Sequence, residues 1–358
     1  MHVPMKTSYN DDIRLVRQRG TLVWYGLLAL ALLAAPMYLG EHHIAQLSFV
    51  GIYAIAGLGA MLLVGYTGQV SLGQAAFMAI GAYTEAILQK FGVPFAASLV
   101  LAGVMAGLMG AILSLSTARL AGIYLAIATL AFAFIVEEVL TRWESLTNGS
   151  LGILVRRIQV GSFTFDQEWK FYYLSIGLLV LVLWLMINLL RSRTGRALTA
   201  MRDSEISAQS LGIQLARYKA IVLALSGALT GVAGALYAHR IQFITPDQFT
   251  IMASVELLVL VVVGGLGSLH GAVFGAVFIV MLPQFIVLIR DAFAISTSYQ
   301  AGLDAGVYGL LMVLFMLFEP QGLYGRWQKI KLYLDTFPFY RKATFRRQRM
   351  FQKSEQLR

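Results

Sequence analysis

Ten apolar stretches of about one length recur along this chain, at residues 22–39, 44–64, 72–89, 95–117, 121–140, 171–190, 217–238, 253–269, 271–289 and 303–319. Each is near the roughly 20 residues that a helix, rising about 1.5 Å per residue, needs to cross a hydrocarbon layer about 30 Å thick. Inside that layer there is no water to pair with the backbone, so every N–H and C=O must be satisfied by the protein itself. Helices do this within one segment. Hydrophobic residues make up 58% of the 358 and charged residues 13%, against about 45–50% and about 25% in soluble domains. A soluble core could not hide the excess. The 34 glycines suit helices that approach closely in lipid. The chain is therefore read as all-α, a polytopic membrane bundle of about ten transmembrane helices. The runs 253–269 and 271–289 are divided only by Gly264 to His270, so a pair of spans and one broken helix are both open; two spans are adopted.

Lysine and arginine set the orientation. With both termini cytoplasmic, 21 of the 28 basic residues fall in inner segments and 7 in outer ones, as the positive-inside rule requires. This divides the chain into a cytoplasmic segment 1–21, a transmembrane domain 22–325 and a basic cytoplasmic tail 326–358. Within the domain lie an inner loop at 191–216 and an outer loop at 141–170. The outer loop carries Trp143 and Trp169 near its ends, which suits a segment along the membrane interface. The tail holds ten basic residues against Asp335 and Glu355, interleaved with aromatics. It is read as the anchor of the last helix, with contact to anionic lipid as the other reading and no role in binding nucleic acid.

From Arg196 to Leu211 the inner loop contains neither proline nor glycine, and Gly212 then supplies a stop. One continuous, rigid helix is expected there. Leu198, Met201 and Ala208 form an apolar stripe at helical spacing, with Glu205 inside it. A stripe holding a charge suits insertion into a groove on a soluble partner, where apolar anchors give affinity and a charge pair gives register. A short surface helix is the plainer alternative.

Two glycine-rich turns resemble each other: Gly68-Gln-Val-Ser-Leu-Gly-Gln-Ala-Ala-Phe77 and Gly265-Leu-Gly-Ser-Leu-His-Gly-Ala-Val-Phe274. Their Gln69, Ser71, Gln74, Gly264, Gly265 and Ser268 are taken as lining a watery translocation path. Close helix packing with satisfied amides and hydroxyls is the alternative. Glu85, Glu137, Glu138 and Glu256 fall within spans, where charge is costly. No basic partner accompanies them in the sequence, which argues against an ion-driven carrier.

No Gly-x-x-x-x-Gly-Lys-Ser/Thr, His-Glu-x-x-His or Gly-x-Ser-x-Gly occurs, and there is no cysteine. The chain shows no phosphate-cradling loop, no catalytic set and no metal site of these kinds. Energy for uphill transport is expected from another polypeptide.

The stretches Gly65 to Tyr83, Gly122 to Leu130, Ala200 to Ile213, Gly264 to Ser268 and Glu319-Pro-Gln-Gly-Leu323 resemble the M-type permease of bacterial branched-chain amino acid ABC importers. The likeness spans most of residues 40 to 325. It departs from the family at Thr147 to Gly152, where relatives carry a Thr-Gly-Gly type turn. The resemblance implies a multi-pass protein of the bacterial inner membrane, paired with a second homologous permease subunit. Two cytoplasmic ATPase subunits holding ATP and Mg, and an extracytoplasmic solute-binding protein, complete such an importer. This chain itself would bind no cofactor. The resemblance also makes 195–213 the ATPase-coupling element, through Gly195, Arg196, Arg202, Glu205, Leu211 and Gly212, beside the Leu198, Met201 and Ala208 stripe. Related permeases serve urea or short amides, and the residues do not separate these cargoes; a self-contained secondary transporter is the reading from a different class.

Overall fold

The computed structural model describes residues 19–117, 120, 122–160, 163–292, 306, 309, 310, 313 and 322–336. Nine of the ten apolar runs become helices: α1 (Arg19–Tyr38), α2 (Glu41–Thr67), α3 (Gln74–Lys90), α4 (Phe95–Thr117), α5 (Ile123–Arg142), then, after a short α6 (Glu144–Thr147), α7 (Glu168–Arg191). The inner loop forms α8 (Arg193–Asp203) and α9 (Glu205–Ser210), followed by α10 (Leu215–Ile241), α11 (Ile251–Gly264), α12 (Leu269–Ala292) and α13 (Gly322–Thr336). The run 303–319 lies largely outside the described residues. Among the described residues six helices are long and apolar enough on their own to cross a membrane, at Glu41–Thr67, Phe95–Thr117, Ile123–Arg142, Glu168–Arg191, Leu215–Ile241 and Pro246–Gly264, while Val23–Tyr38 and Leu269–Gln284 are shorter apolar helices.

At the centre lie α2 and α10. Helix α10 packs on α3 and α4 through a seam of small residues, and backbone meets backbone there. A Cβ on Gly81 would lie 2.0 Å from the Gly231 carbonyl oxygen, and one on Gly234 2.0 Å from that of Met78. On the other side Gly110 faces Leu223 O at 2.4 Å and Gly227 faces Ala106 O at 2.7 Å by the same construction. No larger side chain fits. In lipid there is little hydrophobic gain from helix association, so this close approach, which maximises dispersion contact, is what holds the helices together. Leu58, Leu62, Phe77 and Leu260 fill the remaining volume and are fully buried. The outward faces of α4 and α7 stay apolar, as with Val104, Leu108 and Leu115 on one and Val180, Leu181 and Trp184 on the other, all exposed in the bare chain. A bilayer solvates such faces.

Helices α11 and α12 form an antiparallel hairpin rather than one broken helix. Gly264 packs on Gly271 and Gly275 on Leu260 across it, and the Gly265 to Ser268 turn joins them. The outer loop folds into short pieces. A strand at Ile153–Leu154 pairs antiparallel with one at Phe243–Ile244 after α10, and Gln159–Val160 pairs with Phe163–Thr164. Trp143 and Trp169 at its ends are exposed.

Candidate functional site

The inner loop departs from the single rigid helix expected of it. Ser204 takes an extended conformation, φ −164° and ψ 116°, and its hydroxyl accepts from the Ser207 N–H at 3.2 Å. Serine is a strong helix-capping residue, so it ends α8 and starts α9 without glycine or proline. The Ser192 hydroxyl accepts from the Gly195 N–H at 3.4 Å and caps α8 in the same way. Gly195 has no room for a side chain, because a Cβ would lie 2.3 Å from Leu190 O.

The apolar stripe is also turned inward. Leu198, Met201 and Ala208 are buried at 0%, 2% and 1% exposure against the chain's own helices, so they are not the surface offered to a partner. What faces out is Ile206 and Leu211, each 80% exposed. Arg196 is exposed and donates to Arg191 O at 2.9 Å. Gly212 holds φ +85°, in the left-handed region that glycine adopts without strain. Glu205 has its charge partner within the chain, because Lys219 Nζ donates to its Oε2 at 3.0 Å and to Leu120 O at 3.2 Å. That lysine is 5% exposed and the glutamate 35%. The pair ties α9 to the start of α10 and to the α4–α5 connection.

The last turn of α2, just before the first glycine turn, lies against the second. A Cβ on Gly65 would stand 2.7 Å from Gly267 N, and that N–H donates to Met61 Sδ at 3.2 Å. Above both sits Arg202 of α8. Its Cγ lies 3.7 Å from where a Gly68 Cβ would be, and its Nη1 2.5 Å from where a Gly267 Cβ would be. Both glycines have positive φ, 69° and 78°. Three elements therefore meet at one end of the bundle: the inner loop and the paired turns of the repeat.

The polar side chains of the first turn are occupied by the protein itself. Gln74 Nε2 donates to Ser226 Oγ at 3.1 Å, and Thr230 Oγ1 donates to Gln74 Oε1 at 3.0 Å. Ser226 Oγ donates in turn to Gly59 O at 2.7 Å. Leu72 N–H donates to Thr129 Oγ1 and Ala75 N–H to Ser254 Oγ, each at 3.0 Å. Ser71 accepts from Gly73 N–H at 3.3 Å, and Ser268 from Gly271 N–H at 3.2 Å. Gln74 thus sits in a closed network with Ser226, Thr230 and Gly59 that joins α2, α3 and α10, the N–H groups of Leu72 and Ala75 tie the same turn to α5 and α11, and Ser71 bonds within the turn. Gln69 differs: it is 4% exposed and neither amide atom has a partner. Gly264 and Gly265 serve the hairpin turn.

A carboxylate within the spans does have a basic partner. Glu85 Oε1 lies 2.8 Å from His239 Nε2 and accepts from Ser98 Oγ at 2.7 Å. His239 Nδ1 is 3.1 Å from Arg156 O. A carbonyl only accepts, so the Nδ1 contact needs hydrogen on Nδ1, and Nε2 faces the carboxylate. Glu138 pairs with Arg142 one turn on. Nothing local signals the contacts of Gln74 with Ser226 and Thr230, or that of Glu85 with His239, across more than 150 positions. Among the described residues no cluster of His, Asp and Glu is arranged to hold a metal.

A profile of the family described as branched-chain amino acid transport system / permease component matches residues 44–316. The high-affinity branched-chain amino acid transport system permease protein LivM of Escherichia coli K12 is 35% identical over 333 residues, covering 86% of this chain and 75% of that protein. A probable branched-chain amino acid transport permease protein LivM of Methanocaldococcus jannaschii is 25% identical over 323 residues, covering 84% and 91%. The LivH permease of Escherichia coli K12 is 26% identical over 293 residues, covering 76% and 91%. The match includes the glycine turns, the inner loop and the helices that bury Gln74, and the chain belongs to the family of branched-chain amino acid transport system permease components.

Proposed function

We propose that this chain is one of two membrane-spanning permease subunits of an ATP-binding-cassette importer that carries branched-chain amino acids into the cytoplasm. Its orientation has both termini inside, ten spans, and the 191–216 loop facing a cytoplasmic ATPase that holds the ATP and Mg. A second, LivH-like permease, a second ATPase and an extracytoplasmic binding protein complete the assembly in the bacterial inner membrane. The observation that carries this reading is Arg202, which seats the inner loop on both glycine turns at once. A force applied to the loop reaches α2, α3, α11 and α12 through that contact. Ile206 and Leu211 are the apolar side chains of the loop that face outward, and they are assigned the ATPase contact in place of the buried stripe.

Transition between packed states, rather than binding by a deep site in this chain, is the mechanism that fits a closed Gln74 network. Opening the path requires Gln74 to leave Ser226 and Thr230, and cargo specificity is assigned chiefly to the binding protein. The test is transport by the reconstituted assembly. Uptake of leucine that needs ATP and the ATPase subunits supports the reading. Uptake by this chain alone, or uptake of urea in place of leucine, sinks it. The buried Glu85–His239 pair favours a second reading, a proton-coupled carrier, which requires acidification of the vesicle interior in step with uptake and without nucleotide.

A further inference from the structure

The first turn of the C-terminal helix α13 rests on the bundle. Gly322, at φ +63°, stands where a Cβ would come within 2.6 Å of Gly265 N. Tyr324 stacks on His270 with ring centres 5.4 Å apart and planes 4° from parallel, and Tyr25 Oη of α1 is 2.6 Å from His270 Nε2. Arg326, Trp327, Gln328, Lys329, Ile330, Lys331 and Tyr333 are all exposed.

At 3.6 residues per turn, Trp327, Ile330 and Tyr333 fall on one face. Lys329 and Lys331 border that face on either side, and Arg326 lies one turn before Ile330. The face is continuous with apolar helix surface. Trp327 meets Phe274 of α12 at 6.5 Å between ring centres, and Val277, the next turn along α12, is exposed. Trp24 and Tyr25 are exposed at the start of α1, at the same end. Aromatic rings gathered at one level of a bundle mark a membrane–water interface, and an apolar face flanked by lysine and arginine is the pattern of a helix lying in that interface. Past α13 the sequence adds seven more Lys and Arg, from Arg341 to Arg358, against Glu355 alone.

We infer that α13 is an interfacial helix that seats anionic phospholipid headgroups beside the coupling end of the bundle. Trp327, Ile330 and Tyr333 enter the acyl boundary, and Arg326, Lys329 and Lys331 hold the phosphates. The seat bears on transport through one turn. Gly322 rests on Gly265 while Arg202 of the inner loop rests on Gly267, so lipid and loop act on positions two residues apart.

This chain has no cysteine, so within it a label reports one position, and the unsubstituted assembly carried through the same labelling gives the background from the other subunits. Gln328→Cys and Ile330→Cys variants are spin-labelled in the full-length chain, purified with its co-purifying subunits. They are then placed in vesicles of phosphatidylcholine, with or without phosphatidylglycerol. Adding phosphatidylglycerol should move the Ile330 label from nickel-accessible to oxygen-accessible, while the Gln328 label stays aqueous. Each basic residue near an anionic surface contributes about 1 kcal/mol, roughly a fivefold factor. The R326Q/K329Q/K331Q triple variant should therefore lower the seated-to-free ratio about a hundredfold and lose the lipid dependence. The Tyr324–His270 ring contact is untouched, and the melting midpoint in detergent, measured in parallel, separates loss of the lipid seat from loss of the fold. An Ile330 label that stays aqueous in both vesicles overturns the inference. So does protection that persists in phosphatidylcholine and vanishes when the soluble subunits are stripped, which assigns the face to an acidic protein surface instead.

Discussion

Replacing Gly81 by alanine tests whether the α3–α10 seam holds the bundle together. The added Cβ would lie 2.0 Å from Gly231 O, whereas ordinary contact begins near 3.4 Å, so the helices must part by about 1.4 Å. The three nearest obstructing atoms, Gly231 O, C and Cα, all belong to backbone, and none can rotate away. Overpacking of this kind costs about 1–3 kcal/mol, occasionally more. A gap of 0.5–1 Å also forfeits about a quarter to a half of each dispersion contact along the seam. Alanine's better helix propensity returns at most about 1 kcal/mol. Gly177 in α7 is the matched control, because nothing lies within 4 Å of its Cβ position. Gly177→Ala should be neutral or stabilising by about 0.4–1 kcal/mol. The assay is the thermal unfolding midpoint of the purified assembly in lipid nanodiscs, with leucine uptake in parallel. Gly81→Ala should fall well below wild type and Gly177→Ala at or above it. Equal midpoints for the two variants would refute the argument that backbone contact at this seam dominates.

Glu205→Gln keeps an amide oxygen to accept from Lys219 but removes the negative charge beside an ammonium that is 5% exposed; a loss of about 1–3 kcal/mol is expected, discounted for the one-third exposure of the glutamate. Adding Lys219→Met should recover most of it, and a double-mutant cycle with no coupling would remove the pair from the account. Arg202→Ala should keep the chain inserted and assembled yet cut ATP-driven uptake severalfold, read as nucleotide hydrolysis that no longer moves cargo. Thr230→Val with Ser226→Ala orphans the Gln74 amide and should destabilise by about 1–3 kcal/mol, read in the same nanodisc melts. Ile206→Asp should weaken retention of the ATPase subunits on a mild-detergent pull-down while leaving the melting midpoint unchanged, since Ile206 is 80% exposed.

The spans were legible because one property, apolar length, decides them. Phe95–Thr117 coincides with its expected bounds. The inner loop was harder to read. Its amphipathic stripe at Leu198, Met201 and Ala208 was visible, but periodicity states that a face is buried, not against what. The break at Ser204 carried a real signal, since serine caps helices, yet the lack of glycine and proline outweighed it. Gln74 was marked as important from its turn, while its partners Ser226 and Thr230 lie 152 and 156 positions away. Glu85 and His239 were each visible and never paired, for the same reason: contact between distant helices is set by packing, which no local pattern encodes.

The meeting of Gly65 with Gly267 and of Gly322 with Gly265 has a mechanical consequence. Side chains at a joint act as springs, absorbing small displacements by changing rotamer. Backbone resting on backbone has no such compliance. A push delivered through Arg202 reaches the end of α2 and the α11–α12 turn together, and the joint between those two trades adaptability for stiffness. A methyl group added at Gly267 would meet the Arg202 guanidinium first, at 2.5 Å, on a backbone at φ +78° that a side chain disfavours, so it would strain the turn and lift the loop from it, leaving a transporter that spends nucleotide without a stroke.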